Sequence, residues 1–228
     1  MGNRVGNAYG LTVLIPIKHG ADGNRAYDKL IRDQLQKWPL AKQSPLASVP
    51  NTYLARLFLL NDVFYEGAPA TEDHLKSKYL VFSSNFFGDL DTYLTGMWDA
   101  LDDLLKDFLQ HCVAFDKVQS STDFVKYIKR CQINNSLFFN GSTDKPLAEQ
   151  LKALYVKQAF VYFAFLSQHF RYEGPDGAGK LQAAFKRFVE HIQIDKMDEP
   201  SWPVATEKAP EIEQRIRSVV DGAGGAGS

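Results

Sequence analysis

The 228-residue chain is 45 % hydrophobic and 13 % aromatic, ample for the packed core of one generous domain or two small ones. Its 26 basic and 27 acidic side chains leave a formal charge of −1, so no field gathers nucleic acid or anionic lipid, and nucleic-acid binding is disfavoured. No apolar run approaches the roughly 20 residues needed to cross a bilayer, and the opening MGNRVGNAYG lacks the apolar stretch of a signal peptide, so a cytoplasmic location with no transmembrane segment is expected.

Residues 1–10 are rich in Gly and Asn and read as a flexible start; Gly6 stands where the Met-Gly myristoylation pattern wants Ser or Thr. LTVLIPIK then gives a first strand with Leu11, Val13, Ile15 and Ile17 on one face, and Pro16, which has no N–H to donate, places its end there. Turn chemistry over His19–Asn24 leads to a helix from about Arg25 to Trp38, stopped by Pro39. TYLARLFLLNDVF, residues 52–64, is apolar on both faces apart from Arg56 and Asp62 and reads as a second buried strand. An exposed excursion follows from Tyr65 to Lys78, with one helical turn at Ala70 to Leu75.

Tyr79–Phe87 carries large apolar residues on both faces, as a central strand covered on both sides would. After Gly88 the period changes from two to 3.6. Leu90, Leu94, Met97, Trp98, Leu101, Leu105, Phe108 and Cys112 form one stripe of a long helix, with Asp89 placed to cap it and Asp91 in its positive first turn. Ser121 and Thr122 can cap a short helix over Asp123–Cys131, and NNSLFFNGS reads as a fourth strand closed by Asn140-Gly141. Beyond Pro146 the period is helical to about His169, and AFVYFAFL, Ala159 to Leu166, is apolar on every side; such a helix is buried or meets a partner or a lipid. A glycine loop, Gly174–Gly179, precedes a last amphipathic helix through Ile192. Residues 196–228 read as a tail with a short helix, Glu211 to Val220, and a linker-like glycine-rich end.

Strand, helix, strand, strand, helix, strand is the ferredoxin-like order, so the expected fold is α+β: a four-stranded antiparallel βαββαβ sheet in a single domain over residues 11–195, with extra C-terminal helices. The blocks TVLIPIK, TYLARLFLLND, YLVFSSNFFGDLDTYL and LFFNGS resemble a largely uncharacterised bacterial family of ferredoxin-like proteins, in which a strand ending in Ser-Asn-Phe-x-Gly precedes a long helix. The resemblance spans about residues 11–170 and implies the fold, with no chemistry to carry over. More remotely the architecture is similar to the dimeric α+β barrel proteins, some of which bind haem or act as small oxygenases; AFVYFAFL reads first as packing on the open face of the sheet, with a homodimer seam or a pocket for an apolar molecule as the alternatives.

Candidate sites are few. GPDGAGK, Gly174 to Lys180, matches a phosphate-binding loop up to its lysine, but a helix precedes it and Leu181 stands where the magnesium-holding hydroxyl belongs. The five histidines form no pair at metal-ligand spacing, and Cys112 and Cys131 belong to no CxxC or Cys/His cluster, which points to two buried thiols in a reducing compartment. His111 and His169, near the ends of long helices, are where one imidazole could ligate haem; dipole-stabilised helix ends are the commoner reading. Arg56, Asn85, Asp89 and Asp91 form the group to watch for ligand binding, since an arginine in an apolar strand must be paired or near solvent, and the bland role for Arg56 is a bridge to one of these aspartates. Two functions remain open: a non-catalytic binding module for a protein partner or an apolar small molecule, without cofactor, or a small oxidoreductase or lyase of the α+β barrel kind, with or without haem.

Overall fold

The computed structural model describes residues 2–207 and 211–222 and divides into two compact units, Met1–Leu147 and Ala148–Ser228. This differs from one domain over 11–195, and the glycine-rich end after Gly222 lies outside the described residues.

In the first unit the elements are β1 (Arg4–Val5), β2 (Ala8–Pro16), a small hairpin of β3 (Ala21–Asp22) and β4 (Arg25–Ala26), α1 (Tyr27–Gln36), β5 (Thr52–Leu60), β6 (Tyr79–Phe87), α2 (Leu90–Leu109), α3 (Ser121–Cys131) and β7 (Gln132–Ile133). The main sheet has five strands where four were expected. Its order is β1-β2-β6-β5, with β7 also pairing β2, and all pairs are antiparallel.

One face of this sheet carries the core. Leu11, Val13 and Ile15 of β2 stand across from Ser84, Phe82 and Leu80 of β6, which in turn face Ala55, Leu57 and Leu59 of β5. On this layer lie the α2 stripe, from Leu90 to Phe108, and Phe124 and Ile128 of α3. A stack of rings runs through it: Tyr9 lies 5.2 Å from Phe86, and Phe86 lies 3.7 Å from Tyr93 and nearly parallel to it. The buried Tyr93 hydroxyl is satisfied by Ser84 Oγ at 2.7 Å, with Thr52 Oγ1 at 3.3 Å, while burial pushes its pKa up.

Several elements depart from the sequence reading. Residues 8–10 belong to β2 and Arg4–Val5 to β1, so the start is part of the sheet; Asn3 is buried and its carbonyl accepts from Gly10 N. The fourth strand is two residues long and sits at 132–133, while 134–142 runs without strand pairing. That segment instead lays Phe138 over Gly10, where a Cβ would come within 2.6 Å of the ring, and Asn135 bonds Thr12 Oγ1 and the Gly10 carbonyl by its side chain. Its alternating Leu137 and Phe139 mimic a strand, yet both are exposed. β5 ends at Leu60, and 61–78 contains a turn at 68–70 rather than a helical turn at 70–75. The neck of this excursion is held by Asp62, whose carboxylate accepts from Leu75 N, His74 Nδ1 and Val63 N; these bonds bring its pKa down to about 2.

The second unit contains most of α4 (Leu147–Leu166), a 3₁₀ stretch at Ser167–Tyr172, α5 (Gly177–Ile192) and α6 (Ile212–Asp221). Its core joins Tyr155, Ala159 and Phe163 of α4 to Ala184, Phe188 and Ile192 of α5 and to Ile212, Ile216 and Val220 of α6. Phe163 and Phe188 meet with ring centroids 4.8 Å apart. Arg187 donates to the carbonyls of Val219 and Val220, closing the last turn of α6. The short C-terminal helix is therefore a core element, not a tail.

Candidate functional site

The corner between β6 and α2 is set by Gly88, whose φ of +105° is open to glycine and costly for other residues. Asp89 then caps α2, accepting from the backbone N–H of Asp91 and Thr92 and from the Thr92 hydroxyl; the hydroxyl bond is the chief reason its pKa lies below the ordinary carboxylate value. Asp91 pairs with Lys129 of α3, and Arg4 Nη2 donates to the Gly88 carbonyl at 3.0 Å. A cleft of about 800 Å³ opens beside them, also lined by Asn3, Tyr9 and Gln132, whose Nε2 donates to the Tyr9 hydroxyl at 2.8 Å. This cleft can take a small polar molecule, but its aspartates, lysine and arginine already have partners within the fold.

Arg56 and Asn85 lie elsewhere, on the face of the sheet away from α2. A bulge at Tyr53 decides this: Thr52 pairs with Phe86 and Leu54 with the next residue, Asn85, so one extra residue on β5 turns Leu54, Arg56 and Phe58 outward. Arg56 stands opposite Ser83, diagonal to Asn85 on the same face. Among the described residues Arg56 makes no ion pair, and its side chain is exposed. The expected bridge to Asp89 or Asp91 is not formed: Arg56 points outward opposite Ser83, and both carboxylates have other partners. The expectation that both faces are covered fails on this strand too: Leu54 is 52 % and Phe58 49 % exposed, whereas Val81 in the middle strand is buried. An edge strand has a neighbour on one side only, so a pattern apolar on both faces does not ensure cover.

The two histidines each have partners within the fold. His111 stacks on Tyr27 with centroids 5.0 Å apart, and burial together with Lys18 holds its pKa below the usual value. His169 directs Nδ1 to the Leu166 carbonyl at 2.7 Å and Nε2 towards Glu173 at 3.6 Å. A pocket of about 20 Å³ lies between sheet and helices, lined by apolar residues such as Ile15, Met97 and Phe124. That holds about one water, where an organic cofactor needs several hundred Å³. In the glycine loop Lys180 pairs with Glu173, and Gly177 begins α5 after helical turns rather than after a strand.

Sequence reading missed two arrangements. Asp28, buried in the first turn of α1, takes Lys78 Nζ at 2.8 Å; burial alone would raise its pKa, and the Lys78 bond and charge outweigh that and lower it. In the second unit Lys152 is only 3 % exposed and donates to the Pro200 carbonyl at 2.8 Å, while the buried Tyr155 hydroxyl meets His191 Nε2 at 2.8 Å. Desolvation lowers the pKa of both Lys152 and His191. The signal for Lys152 was its spacing: with Tyr155, Ala159 and Phe163 it forms one helical stripe.

Compared with known proteins, the chain matches no family model, no curated protein and no solved structure. Among the described residues no helix is long and apolar enough to cross a membrane, and no group of three or more His, Cys, Asp or Glu side chains is placed to hold a metal ion.

Proposed function

We propose that the chain is a non-catalytic binding module of the cytoplasm that engages a protein partner through β5 and the outward side of its sheet. The observation that carries this is the strip Leu54, Arg56 and Phe58: two half-exposed large apolar side chains flanking an arginine that has no ion pair among the described residues, on a strand that among them has a neighbour on one side only. Such a strip is open and shallow, so it cannot enclose most of a small apolar molecule, but a second protein surface can cover it. The partner must offer Arg56 a carboxylate or an aromatic face. The alternative, an oxidoreductase or lyase with or without haem, needs a chamber between sheet and helices, and the pocket of about 20 Å³ seen there speaks against it.

In fold terms the same reading is ferredoxin-like, as the likeness to the bacterial family implies. Taking β2, β5, β6 and β7 as the four strands, α1 falls after the first and α2 before the fourth. The order across the sheet is fourth, first, third, second, with every neighbour antiparallel, and this order supports the assignment.

A photo-reactive residue replacing Phe58 in living cells tests the binding reading, with the same group at the exposed Asp103 of α2 as control. A discrete protein adduct from position 58 and none from 103 is expected. Equal, diffuse labelling from both positions would overturn it.

A further inference from the structure

The two edges of the sheet are finished differently. Along β2 the far side is occupied by β1 at one end and β7 in the middle, with Asn135 bonding Gly10 between them. Along β5 the far side carries no strand: among the described residues no backbone group from Leu54 to Leu60 bonds anything beyond β6, and the run contains no proline. Half the peptide groups of a seven-residue strand therefore point outward unpaired, which is a template for another strand.

We infer that this edge pairs with β5 of a second copy, antiparallel about a twofold axis centred on Leu57, joining two sheets into one. The inference rests on the binding reading above and names its partner. Three constraints fix the register. The bulge at Tyr53 ends regular geometry on one side and the strand ends at Leu60 on the other, so the usable ladder is Leu54–Leu60, whose midpoint is Leu57. Antiparallel pairing keeps outward residues opposite outward residues only when the shift is by whole two-residue repeats. Centring one residue earlier would set Arg56 against Arg56 of the partner subunit, a like-charge pair directly opposite. Centring on Leu57 instead sets Arg56 opposite the partner's Phe58, and Phe58 opposite the partner's Arg56, so each guanidinium gains an aromatic face. Leu54 then faces the partner's Leu60, covering the apolar ends of the strip. The same operation accounts for the exposed Leu54 and Phe58 and for the missing counter-charge of Arg56.

Two measurements on the full chain test this. Sedimentation should show a dimer, and Phe58→Ala should weaken it roughly tenfold, since two cation–π contacts are lost. Register is read by mild oxidation of a mixture of Leu54→Cys and Leu60→Cys proteins. The mixture should form a covalent dimer, while each protein alone behaves as wild type with its free Cys112 and Cys131, because like positions lie about 20 Å apart along the ladder. A wild-type monomer overturns the inference, as does a dimer whose mixture cross-links no better than the single variants. A photo-adduct from position 58 with a different protein also overturns it, yet leaves the binding reading standing; no adduct at all removes both.

Discussion

α2 and α4 are both twenty residues long, and the more apolar of the two is the less buried. α2 buries nine residues in a single stripe and exposes a polar side with Asp99, Asp103 and Lys106. α4, which carries AFVYFAFL, buries only Lys152, Tyr155, Ala159 and Phe163, while Leu154, Phe160, Val161 and Phe165 are exposed. Burial follows what packs against a helix, and a helix apolar all round has side chains left over once one stripe has met its neighbours. The difference also separates two uses of polarity: α2 keeps charge outside, whereas α4 places an ammonium inside its stripe.

The largest effects should come from the two stripes themselves. Leu94→Ala in α2 is expected to cost about 2–5 kcal/mol and Phe163→Ala in α4 about 3–5 kcal/mol, read by chemical denaturation, because both side chains are enclosed. A small loss at Phe163 beside a large one at Leu94 would show that α4 has no core of its own. Lys152→Met should raise stability by on the order of 1 kcal/mol, since a buried ammonium held by a carbonyl still carries a desolvation penalty. Its pH dependence has a definite sign. The folded-state pKa of Lys152 lies below 10.5, so between the two values the unfolded chain binds more protons, and stability rises with pH towards 10.5. Thermal melts of Lys152→Met should lack that part of the rise. Asp89→Ala removes the cap from α2 and should cost about 1 kcal/mol, seen as a lower melting midpoint. Phe165→Ser, at a residue 70 % exposed, should change stability by less than about 0.5 kcal/mol; a larger loss would mean that this side of α4 is covered.

The candidate site was partly legible beforehand. Asp89 as a cap follows from local spacing, and the structure has it in that role. For Arg56 the solvent-facing alternative holds and the bridge to an aspartate does not, and the choice was illegible because a strand apolar on both faces looks the same whether it lies in the middle of a sheet or at its edge. The bulge at Tyr53, which points Arg56 outward, leaves no mark in composition or period. The ending of the sheet was misplaced for a similar reason: Leu137 and Phe139 alternate like a strand, but the partner backbone at β2 is taken by Gln132–Ile133 and by the Asn135 side chain.

By itself the sequence determined periods and punctuation: the alternation of β2 and β6, the change at Gly88, the stripe of α2 and the helices either side of the glycine loop. These depend on residues a few positions apart, whose side chains share a face by backbone geometry alone. Tertiary structure decided which strand stands at the edge, which apolar faces find cover, and that Lys152 and Tyr155 become interior while Arg56 stays outside. Each of those outcomes depends on contacts between segments distant along the chain, and many pairings of the same periodic segments satisfy the local pattern equally well.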